Sequence, residues 1–332
     1  MAWNDVVDTA VELPVITSFT RLGHDIRSRV DGWEPVGADM SDRTVVLTGP
    51  TSGIGRAAAE QLAGLGATLF LVGRDRGRTE ATRRELVAAT GNDDLHVALA
   101  DLGDLDAVRS LADELAGYTE RIDVLIHNAG ALSAERERSP QGIEATVASQ
   151  VLGPFLLTAR LLPQLRRNDG GPPGRVITMS SGGMYAANLT VDQLQMDRGD
   201  YRGSEQYARA KRAQVTLNQM WAERVDPDDV VFHSMHPGWS DTPGVEASLP
   251  TFRRIMGPLL RSPEQAADTL VWLAAEPPAS RSSGEFWLDR RTRPIHKLPM
   301  TRRSDTPDRR RRLWESCVSL CDLADSDVPP AR

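Results

Sequence analysis

The sequence predicts an α/β fold: a doubly wound, mainly parallel, seven-stranded sheet with helices on both faces. Three observations predict it. From residue 41 onward, short apolar runs alternate with longer stretches of helical periodicity. The runs are continuous, as in Thr68-Leu-Phe-Leu-Val72 and Val124-Leu-Ile126, because a strand covered on both sides needs apolar residues on both. The residues able to do chemistry cluster just beyond the ends of those runs, where open parallel sheets bind their ligands.

The elements follow in chain order. Within residues 1–40, Ile16, Phe19, Leu22, Ile26 and Val30 recur at three- and four-residue steps, with Arg21, Asp25, Arg27 and Arg29 between them. That spacing predicts an amphipathic helix. It is expected to pack on the domain that follows; a membrane-surface contact and a lid over the substrate mouth are the alternatives. Strands are expected at 43–48, 68–73, 95–100, 122–127, 174–179, 230–235 and 284–288, with helices between. The limits of the parts then fall at 1–40 (helical extension), 41–290 (catalytic domain) and 291–332 (basic tail). In the tail, Arg302-Arg303 and Arg309 to Arg312 precede a helical stretch with Leu313, Trp314, Val318 and Leu320. It reads as a partly docked terminal helix, with an acidic partner or anionic membrane surface as the sharper alternative.

The first strand, Arg43-Thr-Val-Val-Leu-Thr-Gly49, runs into Gly53-Ile-Gly55, which opens an alanine-rich helix closing near Gly66 as a C-cap. Strand, glycine turn and helix in that order are the setting of a Rossmann-type dinucleotide site. Glycines let the main chain approach a pyrophosphate, and the helix N-terminus offers N–H groups and a dipole. Gly49, Ser52, Gly53, Ile54 and Gly55 are the candidate contacts. Folds that prefer NAD place an acid at the end of the second strand, about 20 residues further on, to hold the ribose 2′-hydroxyl. Here Gly73 stands there, followed by Arg74. A guanidinium matches a 2′-phosphate, so NADP(H) is expected rather than NAD(H).

Tyr207 and Lys211 lie four apart, on one face of a helix. A free phenol titrates near about 10 and is a poor base at neutrality. A cation at ~4 Å contributes roughly 4 kcal/mol at an effective dielectric of about 20, enough to draw such a phenol from about 10 towards 7. Lys211 is therefore expected to lower the pKa of Tyr207.

These motifs together resemble the short-chain dehydrogenases/reductases. TGxxxGIG spans Thr48 to Gly55, NAG is Asn128-Ala129-Gly130, the serine pair is Ser180-Ser181, YxxxK is Tyr207 to Lys211, and PGxxxT is Pro237-Gly238 to Thr242. The resemblance covers residues 41–290. It implies hydride transfer between a nicotinamide and a ketone, aldehyde or secondary alcohol. Tyr207 would be the acid/base and, with Lys211, a cofactor contact; Lys211 would bind the nicotinamide ribose, and Ser181 would orient the carbonyl oxygen. It implies that Asp101 and Leu102 sit near the adenine, that Asn128, Ala129 and Gly130 line the cofactor cleft, and that Pro237, Gly238 and Thr242 surround the nicotinamide. One departure stands out. Where the family carries Asn in N-x-x-G-x-F, this chain reads Gln150-Val-Leu-Gly153-Pro154-Phe155. The family's Asn helps hold a water for proton relay, so Gln150 becomes the corresponding candidate catalytic position, and Pro154 should disturb its helix. A non-catalytic NADP-binding scaffold is the competing reading, which Gln150 keeps open.

Composition limits the rest. A net charge of −7 argues against general nucleic-acid binding. Cys317 and Cys321 are expected as free thiols, and no metal site is expected at His and Cys spacing. No run of 18 apolar residues is evident, and Asp5, Asp8 and Glu12 stand where a leader's basic region would be. A cytoplasmic location without a membrane span is therefore expected, with peripheral membrane contact left open. Met184, Tyr185, Leu189 and Leu194 lie between Ser181 and Tyr207, and Phe252, Ile255, Met256 and Leu259 lie in Trp239–Leu260. They are expected to wall a pocket for a hydrophobic small molecule, or else to pack on the N-terminal helix.

Overall fold

The computed structural model describes residues 3–167, 171–242, 246 and 250–332. Three short helices, α1 (Trp3–Glu12), α2 (Val15–Phe19) and α3 (Arg21–Val30), lead into β1 (Thr44–Thr48). The alternating series follows: α4 (Gly53–Gly64), β2 (Thr68–Gly73), α5 (Arg76–Thr90), β3 (Leu95–Leu99), α6 (Leu105–Tyr118) and β4 (Val124–His127). Next come a long helix α7 (Ala145–Leu165), β5 (Gly174–Met179), α8 (Gly203–Ala222) and β6 (Val230–Met235). The series closes with α9 (Pro250–Met256), α10 (Pro263–Ala275), β7 (Glu285–Leu288), β8 (Arg291–Thr292), α11 (Pro299–Ser304) and α12 (Pro307–Leu320). The strands form one sheet in the order β3-β2-β1-β4-β5-β6-β7-β8. Every pairing is parallel except β7 with β8.

All seven expected strands are present, and an eighth, antiparallel one extends the sheet. The β7–β8 connection is a two-residue turn in which Asp289 and Arg290 both take positive φ, 56° and 52°. Hairpin turns of this kind usually advertise themselves through glycine. Asp-Arg carries no such signal.

Successive strand residues face opposite layers. Val45, Leu47, Leu69, Leu71 and Ile126 pack with α4 and α10 on one side. Val46, Phe70, Val72, Leu125 and Phe232 pack with α6, α7 and α8 on the other. Continuous apolar strands are the direct consequence of covering both faces. By length and composition α7 could cross a membrane, contrary to the expectation that no such stretch exists. Yet 83% of that window is buried inside the molecule, as befits a core helix.

The N-terminal segment departs from the single amphipathic helix expected of it. It breaks at Pro14 and Thr20, both extended. Of the five stripe residues only Phe19 is fully buried, while Ile16 and Leu22 are exposed. The largest buried side chain of α3 is Arg27, which the periodicity put on the polar side. Its guanidinium donates to Asp8 (2.8 Å), Glu12 (2.8 Å) and Asp289 (2.6 Å). Arg261 reaches the same Asp289 at 2.5 and 2.9 Å. A buried ion cluster therefore ties the N-terminal helices to the β7–β8 turn.

The C-terminal helix α12 docks: Leu313, Trp314 and Cys317 join the core, and Trp314 packs edge-on to Phe155 and Trp221 at 4.9 and 4.8 Å. Cys317 and Cys321 are free and buried.

Candidate active site

The strand order reverses between β1 and β4, so their carboxyl ends open the crevice where such sheets hold ligands. Thr48 and Asn128 tie that opening together. The Thr48 hydroxyl donates to Ile126 O (3.1 Å) and accepts from the main-chain N–H of Asn128 and Ala129 (3.0 and 3.1 Å). The Asn128 side chain donates to Thr48 O and Gly49 O at 2.9 and 3.0 Å.

The glycines are needed sterically. Gly49 and Gly53 have φ of +70° and +52°, and a Cβ on Gly55 would sit 2.1 Å from Gly49 O and 2.3 Å from Asn128 Nδ2. We therefore expect Gly55→Ala to lower stability by about 1–3 kcal/mol through overpacking and to weaken nucleotide binding. Thermal melts and a fluorescence titration with NADPH check both; wild-type values in both would contradict the steric account. Ser52, at the head of α4, makes no side-chain cap, so the first-turn N–H groups remain available to an anion. Ile54 is half-buried beside them.

At the end of β2, a Cβ on Gly73 would lie 2.1 Å from the Thr79 hydroxyl. The first turn of α5 thus leaves no room for an acid at position 73. Arg74 is exposed, and among the described residues its side chain has no hydrogen-bond or ion-pair partner. Asp75 is committed elsewhere, its carboxylate capping α5 through the Arg78 N–H at 2.8 Å. Beyond β3, the exposed Asp101 accepts from Gly103 N (2.8 Å), and Asp104 rather than Asp101 caps α6. Leu102 turns its side chain into the core.

Ser181, Tyr207 and Lys211 converge beyond β5. Lys211 is 2% exposed, donates from Nζ to Met179 O at 2.9 Å, and has that nitrogen 5.4 Å from the centroid of the Tyr207 ring. Ser181 begins a 3₁₀ turn over Gly182–Ala186, accepting from Gly183 N at 3.3 Å. The expectation that Lys211 lowers the Tyr207 pKa is not met by the protein's own groups. Burial pushes the half-buried phenol up to about 12, and the opposing pull comes from a hydrogen bond with Ser181. Burial also brings Lys211 down to about 7. The Lys211 nitrogen is aimed at the Met179 carbonyl.

Gln150 lies in a π-helical turn, Ala148–Leu152, inside α7. Gly153 N reaches back to Ala148 O there, and Pro154, lacking an N–H, makes the α-helical pattern impossible at the next step. The Gln150 carboxamide donates to Ala131 O at 2.6 Å, while its Oε1 has no partner among the described residues. A Cβ on Gly130 would meet that oxygen at 3.1 Å and Lys211 Nζ at 3.4 Å. Gly130 thus lies between the two.

Beyond β6, Pro237 and Gly238 are buried, Gly238 has φ +78°, and a Cβ there would sit 2.2 Å from Arg261 Nε. Thr242 is half-buried and its carbonyl accepts from Glu246 N at 3.0 Å. Among the described residues no group of three His, Cys, Asp or Glu side chains could hold a metal ion.

Residues 43–251 match the family model described as short chain dehydrogenase. The chain belongs to the short-chain dehydrogenases/reductases. It is 37% identical over 306 residues to dehydrogenase/reductase SDR family member 12 of Bos taurus, covering 92% of this chain and 94% of that one. It is 32% identical over 310 residues to polyprenol dehydrogenase of Mus musculus, covering 91% and 90%. A solved structure described as a short chain dehydrogenase of Escherichia coli CFT073 complexed with NADPH aligns with a TM-score of 0.62 at 25% identity, covering 76% and 99%. As a short-chain dehydrogenase/reductase, the protein is an oxidoreductase.

Within this short-chain dehydrogenase/reductase the expected apolar wall is only partly there. Met184 and Tyr185 are buried against Phe19, Val215 and Phe286, and Leu189 and Leu194 belong to the main core. They pack inward because the insert folds back on the body. Trp239 and Phe252 remain half-buried, edge to face at 5.2 Å, with Ile255 and Leu259 exposed nearby in sequence. Two residues near the motifs, Arg261 and Asp289, carried no signal in the sequence; Phe19 lies on the expected apolar stripe, but nothing local shows what it packs against. Each works through contacts hundreds of residues away, beyond any local spacing.

Proposed function

We propose that the protein is an NADP(H)-preferring carbonyl reductase or alcohol dehydrogenase acting on hydrophobic substrates. The observation that carries this is the convergence of Ser181, Tyr207 and Lys211 beside the glycine turn at the switch point.

The cleft fits a dinucleotide. Gly49, Ser52, Gly53, Ile54 and Gly55 would hold its pyrophosphate, Arg74 a 2′-phosphate, and Asp101 the adenine side. Asn128, Ala129, Gly130, Lys211, Pro237, Gly238 and Thr242 would flank the ribose and nicotinamide. When bound, the nicotinamide supplies or accepts the hydride.

The chain's own groups handle the proton and the orientation. Ser181 and Tyr207 offer hydroxyls to one substrate oxygen. With its phenol held at about 12, Tyr207 carries its proton at neutral pH. It is then ready to donate to the oxygen of a carbonyl being reduced. Lys211, near 7, can return a proton to it. Gln150 steadies the turn after Gly130 through Ala131. Half-buried Trp239 and Phe252 support an apolar substrate. Exposed Ile16 and Ile255, on the helices that carry Phe19 and Phe252, support uptake from a lipid surface.

Cofactor preference is tested at Arg74. Charge-assisted hydrogen bonds contribute about 1.5–3 kcal/mol, so Arg74→Ala should weaken NADPH binding by roughly 10–100-fold and leave NADH unchanged in a fluorescence titration. Unchanged NADPH affinity would overturn the preference.

A further inference from the structure

We infer that the N-terminal helices are a working part of the active site, with Phe19 a positioning residue for the turns that carry Ser181 and Pro237-Gly238. This rests on the functional reading above.

Three consecutive N-terminal carbonyls are engaged by Trp239, in the loop after β6, and by Arg261, which follows α9. Trp239 N donates to Phe19 O at 2.6 Å. Arg261 donates to Thr20 O (3.2 Å), Ser18 O (3.1 Å) and Pro237 O (3.4 Å). Its own main chain bonds the same loop on both sides, Arg261 N to Trp239 O at 2.7 Å and Asp241 N to Arg261 O at 2.9 Å. Arg27 adds a bond to Ser18 O at 3.0 Å. Arg261 is therefore a bracket between residues 18–20 and 237–241.

The Phe19 ring reaches the other turn. It meets the His236 ring edge-on at 4.4 Å, and His236 Nδ1 accepts from Gly238 N at 3.3 Å. A Cβ on Gly182, the residue after Ser181, would lie 3.0 Å from Phe19 Cε2 and 2.9 Å from His236 Nε2. One aromatic side chain thus presses on both turns at once. A segment docked only for stability could attach anywhere on the surface. This one attaches where the reaction would take place, and precise placement of reacting groups is worth large factors in rate.

The test compares full-length wild type, Phe19→Ala, Phe19→Leu and Trp33→Ala. Trp33 packs against His24 and the Arg290 guanidinium, away from both turns, and serves as a control for loosened docking. We expect Phe19→Ala to speed amide exchange in peptides covering 181–186 and 236–242 at least tenfold. It should lower kcat on a carbonyl substrate about tenfold with KM little changed, and Phe19→Leu should recover part of both. Trp33→Ala should lower Tm with neither effect. Wild-type exchange and kcat in Phe19→Ala would overturn the inference. If Phe19→Ala does not fold, wild-type exchange in Phe19→Leu overturns it equally, and faster exchange supports it. A wild-type enzyme that turns over no carbonyl would defeat the functional reading, and the exchange measurement would still decide this one.

Discussion

Tyr207→Phe is expected to lower kcat for carbonyl reduction by about 10²–10⁴-fold, the usual range for loss of a positioned acid, while NADPH affinity and Tm stay at wild-type values. The phenylalanine ring keeps the packing within α8 and the neighbouring Lys211 ammonium, which lies over the ring rather than on the hydroxyl. Only the proton donor and its hydrogen bond with Ser181 are lost. Steady-state rates, a fluorescence titration and a thermal melt give the three numbers. A fall in kcat matched by a fall in Tm would mean that the substitution acts on the fold instead.

Asp289→Asn should destabilise the protein by about 3–5 kcal/mol, as breaking a buried ion cluster does. Asp289 is 1% exposed. Burial alone would raise its pKa, but Arg261 and Arg27 overcome this and hold it at about 2. Asparagine keeps the shape and tolerates the positive φ of 56°, so the change isolates the charge. Arg261 then keeps at most one of its two bonds to this side chain and loses the charge that balanced it. The sign with pH follows from the depressed pKa. The Asp289 contribution is fully present above the unfolded carboxylate value of 3.8 and is lost as pH falls from there through about 2. Urea melts at pH 7 and between pH 4 and 2 check this. Equal stability of the two proteins at pH 7 would contradict it.

Much of this was readable from the sequence, for identifiable reasons. Thr68–Gly73 and Gly174–Met179 are found where they were expected because a strand buried on both faces writes its whole length in apolar residues. The glycine turn and the Tyr207/Lys211 pair are local, five to eight residues long, so spacing alone reports them. Contacts made at long range left no trace. Arg27 looked like a polar-face residue because its three carboxylate partners lie elsewhere, one of them Asp289. For Met184 and Tyr185 a pocket wall and packing on the N-terminal helix are both open in the sequence, which shows apolar character but not which way it turns; they pack with Phe19 of α2. The surroundings of Tyr207 are illegible in the sequence for the same reason. Four-residue spacing brings Lys211 to the ring, yet its nitrogen is held by Met179 O, and burial decides both groups.

The most direct test follows the hydride itself. NADPH deuterated at nicotinamide C4 would be incubated with the enzyme and a panel of apolar ketones and aldehydes, and the alcohols analysed by mass spectrometry. Deuterium on the carbinol carbon with wild type, and its loss with Tyr207→Phe, is the expected result. Tight NADPH binding with no label in any product would contradict the account.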